Sequence, residues 1–105
     1  MLTPAAFHIL VTLADGSRHG YAIMKEVAAR TSGEVKLNPG TLYTTIKRLV
    51  DEGSVVEVNA PPGDDERRRY YKITPHGRHL AQEELERLRS IIDQAAANLR
   101  PKHAR

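Results

Sequence analysis

The chain is 105 residues long, 40% hydrophobic, 28% charged and 5% aromatic, with sixteen basic against thirteen acidic side chains for a net charge of +3. That is one domain's worth of chain with an aliphatic core, and a compact fold of ~100 residues has a radius of gyration near 13 Å. The absence of cysteine excludes disulfides, thiolate nucleophiles and cysteine-ligated zinc. No apolar run approaches the ~20 residues of a membrane span and no basic-then-apolar leader opens the sequence, so a cytoplasmic location is expected.

The first predicted helix opens with Thr3 as N-cap and Pro4 at the first helical position, where its missing N–H is harmless. Ala6, Ile9, Leu10 and Leu13 follow at helical spacing, and Asp15-Gly16 ends the run. A second helix begins near Gly20-Tyr21, with Ile23, Met24, Val27 and Ala28 as its apolar stripe, and Thr31-Ser32-Gly33 closes it. The third has the clearest start. Asn38 caps it, Pro39 fixes the first φ, and Leu42, Ile46, Leu49 and Val50 form the inward stripe. Gly40, Thr41, Tyr43, Thr44, Thr45, Lys47 and Arg48 are left off that stripe, and Gly53 is placed to cap the C-terminus.

The period then changes. Val56 and Val58 alternate with Val55, Glu57 and Asn59 as in a short strand, residues 60–68 are turn-rich and polar, and Tyr70 to Thr74 reads as the returning strand. Adjacent Tyr70 and Tyr71 must face opposite sides, and packing is the expected role of both. Thr74-Pro75 repeats the cap-then-proline device and launches a helix that runs to Leu99, its first turn weakened by Gly77. Along it Ala81, Leu85, Leu88, Ile92, Ala95 and Leu99 step as an a/d heptad seam, widened by Leu80 and Ile91. The fold class expected is α+β, mostly α: a winged helix-turn-helix over 1–75, a C-terminal dimerisation helix over 76–100, and a disordered basic tail over 101–105.

Charge is distributed unevenly along this order. Residues 1–59 carry six groups of each sign, whereas 60–79 carry Arg67, Arg68, Arg69, Lys72 and Arg78 against Asp64, Asp65 and Glu66. A recognition helix presents its N-terminal residues to base edges, and small, hydroxyl and basic side chains there suit thymine methyls, phosphates and guanine edges. The candidate DNA-contacting set is therefore Asn38, Gly40, Thr41, Tyr43, Thr44 and Lys47, joined by Arg67 and Arg68 of the hairpin, where guanidinium forks suit phosphate oxygens. Two plainer readings stand beside it: a solvated helix face with Tyr43 folded onto the core, and a hairpin tip whose acids merely neutralise its arginines. On the last helix, Leu85, Leu88, Ile92, Ala95 and Leu99 are the candidate dimerisation residues, because so long a seam exceeds what one small domain can cover. The plainer alternative is a helix that wraps its own domain.

Catalysis finds little support. His76 and His79 stand i, i+3 and are read as having no carboxylate at i+3 or i+4 to complete a metal set, His8 and His19 are isolated, and His103 lies in the tail. The carboxylate pairs Asp51-Glu52 and Asp64-Asp65 lack an apolar pocket to shift them, and no phosphate-binding glycine spacing occurs. No cofactor and no metal are expected.

His19-Gly20-Tyr21, Leu37-Asn38-Pro39-Gly40-Thr41-Leu42-Tyr43, Lys47-Arg48-Leu49 with Glu52-Gly53, and Arg67-Arg68-Arg69-Tyr70-Tyr71 with Ile73-Thr74 and Gly77 together resemble the PadR family of bacterial transcriptional regulators. The match runs in order from residue 1 to about 80, and the single terminal helix is similar to the family's short branch. The resemblance implies a homodimer that binds palindromic operator DNA through its third helix and wing, usually as a repressor released by a small-molecule effector. Two positions depart from the family pattern: the terminal helix has no aromatic after Tyr71, and Ser54 follows Gly53 where an aliphatic is usual. From another functional class, the alternative is a winged-helix protein–protein interaction module without DNA binding.

Overall fold

A computed structural model describes residues 2–101. Its elements run α1 (Pro4–Thr12), β1 (Arg18–His19), α2 (Gly20–Arg30), α3 (Pro39–Asp51), β2 (Val55–Val58), β3 (Tyr70–Ile73) and α4 (Pro75–Leu99). This is an α+β fold: helices against a small antiparallel sheet of order β1-β3-β2, in the chain order of a winged helix-turn-helix.

The helix starts follow the capping chemistry. The Thr3 hydroxyl accepts from the Ala6 N–H at 3.1 Å, Asn38 Oδ1 from Thr41 N–H at 2.8 Å, and the Thr74 hydroxyl from Gly77 N–H at 3.0 Å, each with proline beginning the helix. At the end of α3, Gly53 takes φ +80°, which glycine adopts without penalty. That turn lets Ser54 N–H reach the Leu49 carbonyl at 2.8 Å and Gly53 N–H the Val50 carbonyl at 3.0 Å, satisfying two orphan acceptors.

The core joins Ala6, Ile9, Leu10 and Leu13 to Ile23 and Val27 of α2, Leu42, Ile46 and Leu49 of α3, and Val55, Tyr71 and Ile73 of the sheet. Two α3 positions differ from the sequence expectation. Thr45 is buried and Val50 exposed, because the face that meets α1 is rotated by part of a turn from the one the valine would extend.

The sheet brings further corrections. β1 was not expected: two residues between α1 and α2 pair with β3, Arg18 opposite Tyr71 and His19 opposite Tyr70. Two residues are too few for a period, so no alternation announces the strand. In β2 the inward residue is Val55, opposite Ile73, while Val56 is exposed opposite Lys72, so the core takes the opposite phase from Val56 and Val58.

Gly77 does more than weaken a helix turn. It is buried where α4 crosses the entry to β2, and a Cβ there would overlap the Ser54 carbonyl oxygen. That oxygen accepts from Thr74 N–H at 3.1 Å, and the Thr74 hydroxyl donates to the Gly53 carbonyl at 2.6 Å, so the start of α4 is tied to the end of α3. Arg78 extends the tie, donating to the Ala14 carbonyl at 2.7 Å. Ser54 is fully buried, and its hydroxyl has no partner among the described residues.

Beyond the domain α4 continues alone. Every residue from Arg89 to Arg100 is exposed. The projecting helix raises the radius of gyration to 16.8 Å and draws the molecule out to 65 × 27 × 23 Å, against the ~13 Å of a compact chain this long. Pro101 follows the helix, and the rest of the expected tail, 102–105, lies outside the described residues. No helix among the described residues is long and apolar enough to cross a membrane.

Candidate nucleic-acid interface

The buried stripe of α3 turns its other side outward. Asn38, Gly40, Thr41, Thr44, Lys47 and Arg48 are all exposed, and Tyr43 is 48% exposed. Asn38 commits its side-chain oxygen to capping. Lys47 forms an i, i+4 pair with Asp51 at 3.1 Å, with both side chains mostly in solvent. Such a pair contributes little and leaves the ammonium available to a stronger anion.

Tyr43 does not fold into the core. Its ring lies over the backbone of Gly20, the buried first residue of α2, where a Cβ would overlap the phenol oxygen and ring. The glycine thus has a steric reason: only hydrogen there allows α3 and the start of α2 this approach. Tyr21 beside it is 60% exposed, with the Lys25 ammonium 5.6 Å from its ring centre.

The wing supplies the positive charge. Arg67, Arg68 and Arg69 stand at the foot of β3, and with Gly20, Tyr21 and Tyr43 they line an open cleft of about 610 Å³ between α3 and the hairpin. Each arginine is also held by an acid. Arg67 meets Asp65 at 3.2 Å, Arg68 meets Asp64 at 3.8 Å, and Arg69 meets Glu57 of β2 at 4.0 Å. The neutralising acids are thus Asp64, Asp65 and Glu57, the last in place of the adjacent Glu66. The side-chain hydrogen bond from Arg67, then its backbone N–H, holds the Asp65 carboxyl below its ordinary range. Tyr71 is buried as core, and Tyr70 instead donates its hydroxyl to Asp64.

His19, read as isolated in sequence, is central here. Its Nδ1 caps α2 by accepting the Ala22 N–H at 3.2 Å, and its Nε2 lies 3.0 Å from Arg68 Nη1. The available signal was position: a side-chain acceptor immediately before a helical run is an N-cap candidate, though histidine is an unusual one. His79 corrects the sequence reading: a carboxylate does stand at i+4, Glu83, one helical turn on and 3.1 Å from its Nε2. Among the described residues no group of three or more His, Asp or Glu is placed to hold a metal.

On the terminal helix the candidate dimerisation residues sit as an unpartnered stripe. Leu85 is 39% exposed, Ile92 64% and Leu99 80%, with Ala95 exposed and Leu88 half-buried. Toward the domain this stripe runs into an apolar groove of about 350 Å³ between α1 and α4, lined by Phe7, Leu10, Val11, Ile73, Ala81 and Leu85. Glu84, on another face, is 7% exposed and paired with Arg87, whose guanidinium holds its carboxyl below the ordinary range.

Three helices, a basic hairpin and a long terminal helix define a winged-helix transcriptional regulator. The chain belongs to the transcriptional regulator PadR-like family, whose model matches residues 9–83. Transcriptional regulator Rv3488 of Mycobacterium tuberculosis is 33% identical over 84 residues, which are 80% of this chain and 75% of that protein. A transcriptional regulator from Clostridium thermocellum superposes with a TM-score of 0.75 at 25% identity, covering 91% of this chain and 92% of its own. A PadR family transcription regulator from Clostridium difficile R20291 shares the fold, with a TM-score of 0.75 at 23% identity over 91% of this chain and 97% of its own. Members of this family are regulators of transcription, not enzymes.

Proposed function

We propose that the protein is a sequence-specific DNA-binding repressor that acts as a homodimer on a palindromic operator. In this reading α3 enters the major groove, with Gly40, Thr41, Thr44 and Lys47 toward base edges and Tyr43 toward the backbone. Asn38 orders the first turn, and Arg67 and Arg68 of the wing grip phosphates. The observation that carries the reading is the cleft in which Tyr43 of α3 faces all three wing arginines, one basic surface built from two separate elements.

The dimer rests on the α4 stripe. Leu85, Leu88, Ile92, Ala95 and Leu99 would meet their symmetry mates along the projecting helix, making 1–75 the reading head and 76–100 the dimerisation arm. A two-fold pair would set two α3 helices one turn of DNA apart, ~34 Å. A small-molecule effector would act by changing the angle between the arms and so that spacing. Its site would differ from those of relatives that use an aromatic on this helix.

The test is selection of bound duplexes from a random pool with purified protein. Recovery of a two-fold symmetric site whose half-sites lie one helical turn apart supports the reading. Recovery of no enriched sequence, together with indifference of any complex to Lys47→Ala and Arg68→Ala, would leave a protein–protein interaction module instead.

A further inference from the structure

We propose that His19 and Arg68 together form a seat for one phosphate of the DNA backbone, and that the wing's own Asp64 holds the arginine side of this seat in the free protein. The proposal rests on the DNA-binding reading and assigns it a contact outside the recognition helix.

The argument begins with the inventory of an imidazole. A neutral ring has one acceptor nitrogen and one N–H donor. The acceptor of His19 is its Nδ1, engaged by the Ala22 amide at 3.2 Å in the first turn of α2, so the hydrogen is on Nε2. Arg68 Nη1, which has only hydrogens to offer, stands 3.0 Å from that Nε2. Two donors therefore face one another. The backbone amide is fixed by the helix, so an acceptor that reaches Arg68 and His19 together relieves the opposition without disturbing the cap.

Asp64 is the anion already at hand. One of its oxygens lies 3.8 Å from Arg68, and the other accepts the Tyr70 hydroxyl. Tyr70 packs edge-on against His19, the ring centres 5.4 Å apart, as its register partner across β1 and β3. The Tyr70 hydrogen bond first, then the Asp65 amide and the Arg68 guanidinium, hold the Asp64 carboxyl below its ordinary range, so it stays an anion. Its contact with Arg68 is long, and it makes none with Nε2. A phosphodiester, whose one negative charge is shared by two oxygens on a tetrahedral centre, can engage the guanidinium and Nε2–H at once. Both residues open onto the cleft between α3 and the wing, whereas Asp64 is outside its lining. A strand of duplex lying along that cleft would present such an oxygen.

The test is a double-mutant cycle on full-length protein, read as dissociation constants for a duplex of arbitrary sequence at ~50 mM salt, where phosphate contacts dominate. His19→Asn keeps a capping oxygen at the head of α2, so its melting temperature should match wild type, but it removes Nε2–H. We expect H19N to weaken binding about 5-fold in the wild-type background and by less than about 2-fold once Arg68→Ala is present, the non-additivity of a shared partner. Asp64→Asn, which can still accept from Tyr70, should tighten binding about 3-fold, and only while Arg68 is present. Multiplicative losses for H19N and R68A, or no tightening in D64N, overturn the shared seat while leaving the DNA-binding reading intact. A wild-type protein that ignores the duplex at this salt overturns that reading and the seat with it.

Discussion

The two ends of α4 are one continuous helix under opposite conditions. At the start, Thr74 caps the first turn, Gly77 lets the helix lie against the Ser54 carbonyl, and Arg78 reaches the Ala14 carbonyl. From Arg89 to Arg100 every residue is exposed, the large apolar Ile91, Ile92 and Leu99 among them. Helix formation is thus locally encoded at one end and unsupported at the other, where an isolated segment this short is marginal in water. The proposed dimer would supply the missing support to the distal half.

The largest effect that could break this contrast is the loss of a partner. Leu88→Asp with Ile92→Asp should convert a dimer to a monomer in sedimentation and reduce helical circular dichroism, because the arm frays once exposed. Retention of the dimer would place the interface elsewhere. At the proximal end, Gly77→Ala should destabilise the fold by about 1–3 kcal/mol through overpacking against backbone, measured by urea denaturation. A neutral result would mean that α4 can slide on the domain. Thr74→Ala should cost about 1 kcal/mol for the lost cap. Its effect should add to that of the arm substitutions, since the ends share no contact.

The smallest effect concerns acid. The folded-state pKa of Glu84 is lowered, chiefly by its hydrogen bonds from Arg87, so the pair stabilises the protein above the unfolded carboxyl value. That contribution fades as pH falls through the folded value. Melting temperatures of wild type and Glu84→Gln should therefore converge as pH falls below the ordinary carboxyl value of 4.5, wild type losing the more. A constant difference across that range would remove the pair from the account.

How much of this was legible in the sequence differs from element to element. The four helices and the hairpin were marked by Thr-Pro and Asn-Pro starts and by apolar spacing, which are local signals. The α3 face and the wing arginines were legible for the same reason, since a stripe on one side defines what lies on the other. What escaped was set by chain segments far apart. β1 exists because β3 is there to pair with it, Val55 faces inward because Ile73 does, and Arg69 finds Glu57 across the hairpin. Gly77 looked like a soft spot and Gly20 like a plain helix start, and both are close approaches, to Ser54 and Tyr43 respectively. His19 carried no charge pattern at all, and only the strand pairing brings Tyr70 and Arg68 to it.

The central claim is that α3 and the wing form one phosphate-gripping surface, doubled by the α4 arms. It is tested most directly by the salt dependence of duplex binding to the selected site. With ~6–10 phosphate contacts per dimer, affinity should fall by about 10³- to 10⁵-fold between ~50 and ~200 mM salt, and the slope should shrink when Arg67 and Arg68 are replaced by alanine. Binding that is flat across this range, or a slope unchanged by those substitutions, would contradict it.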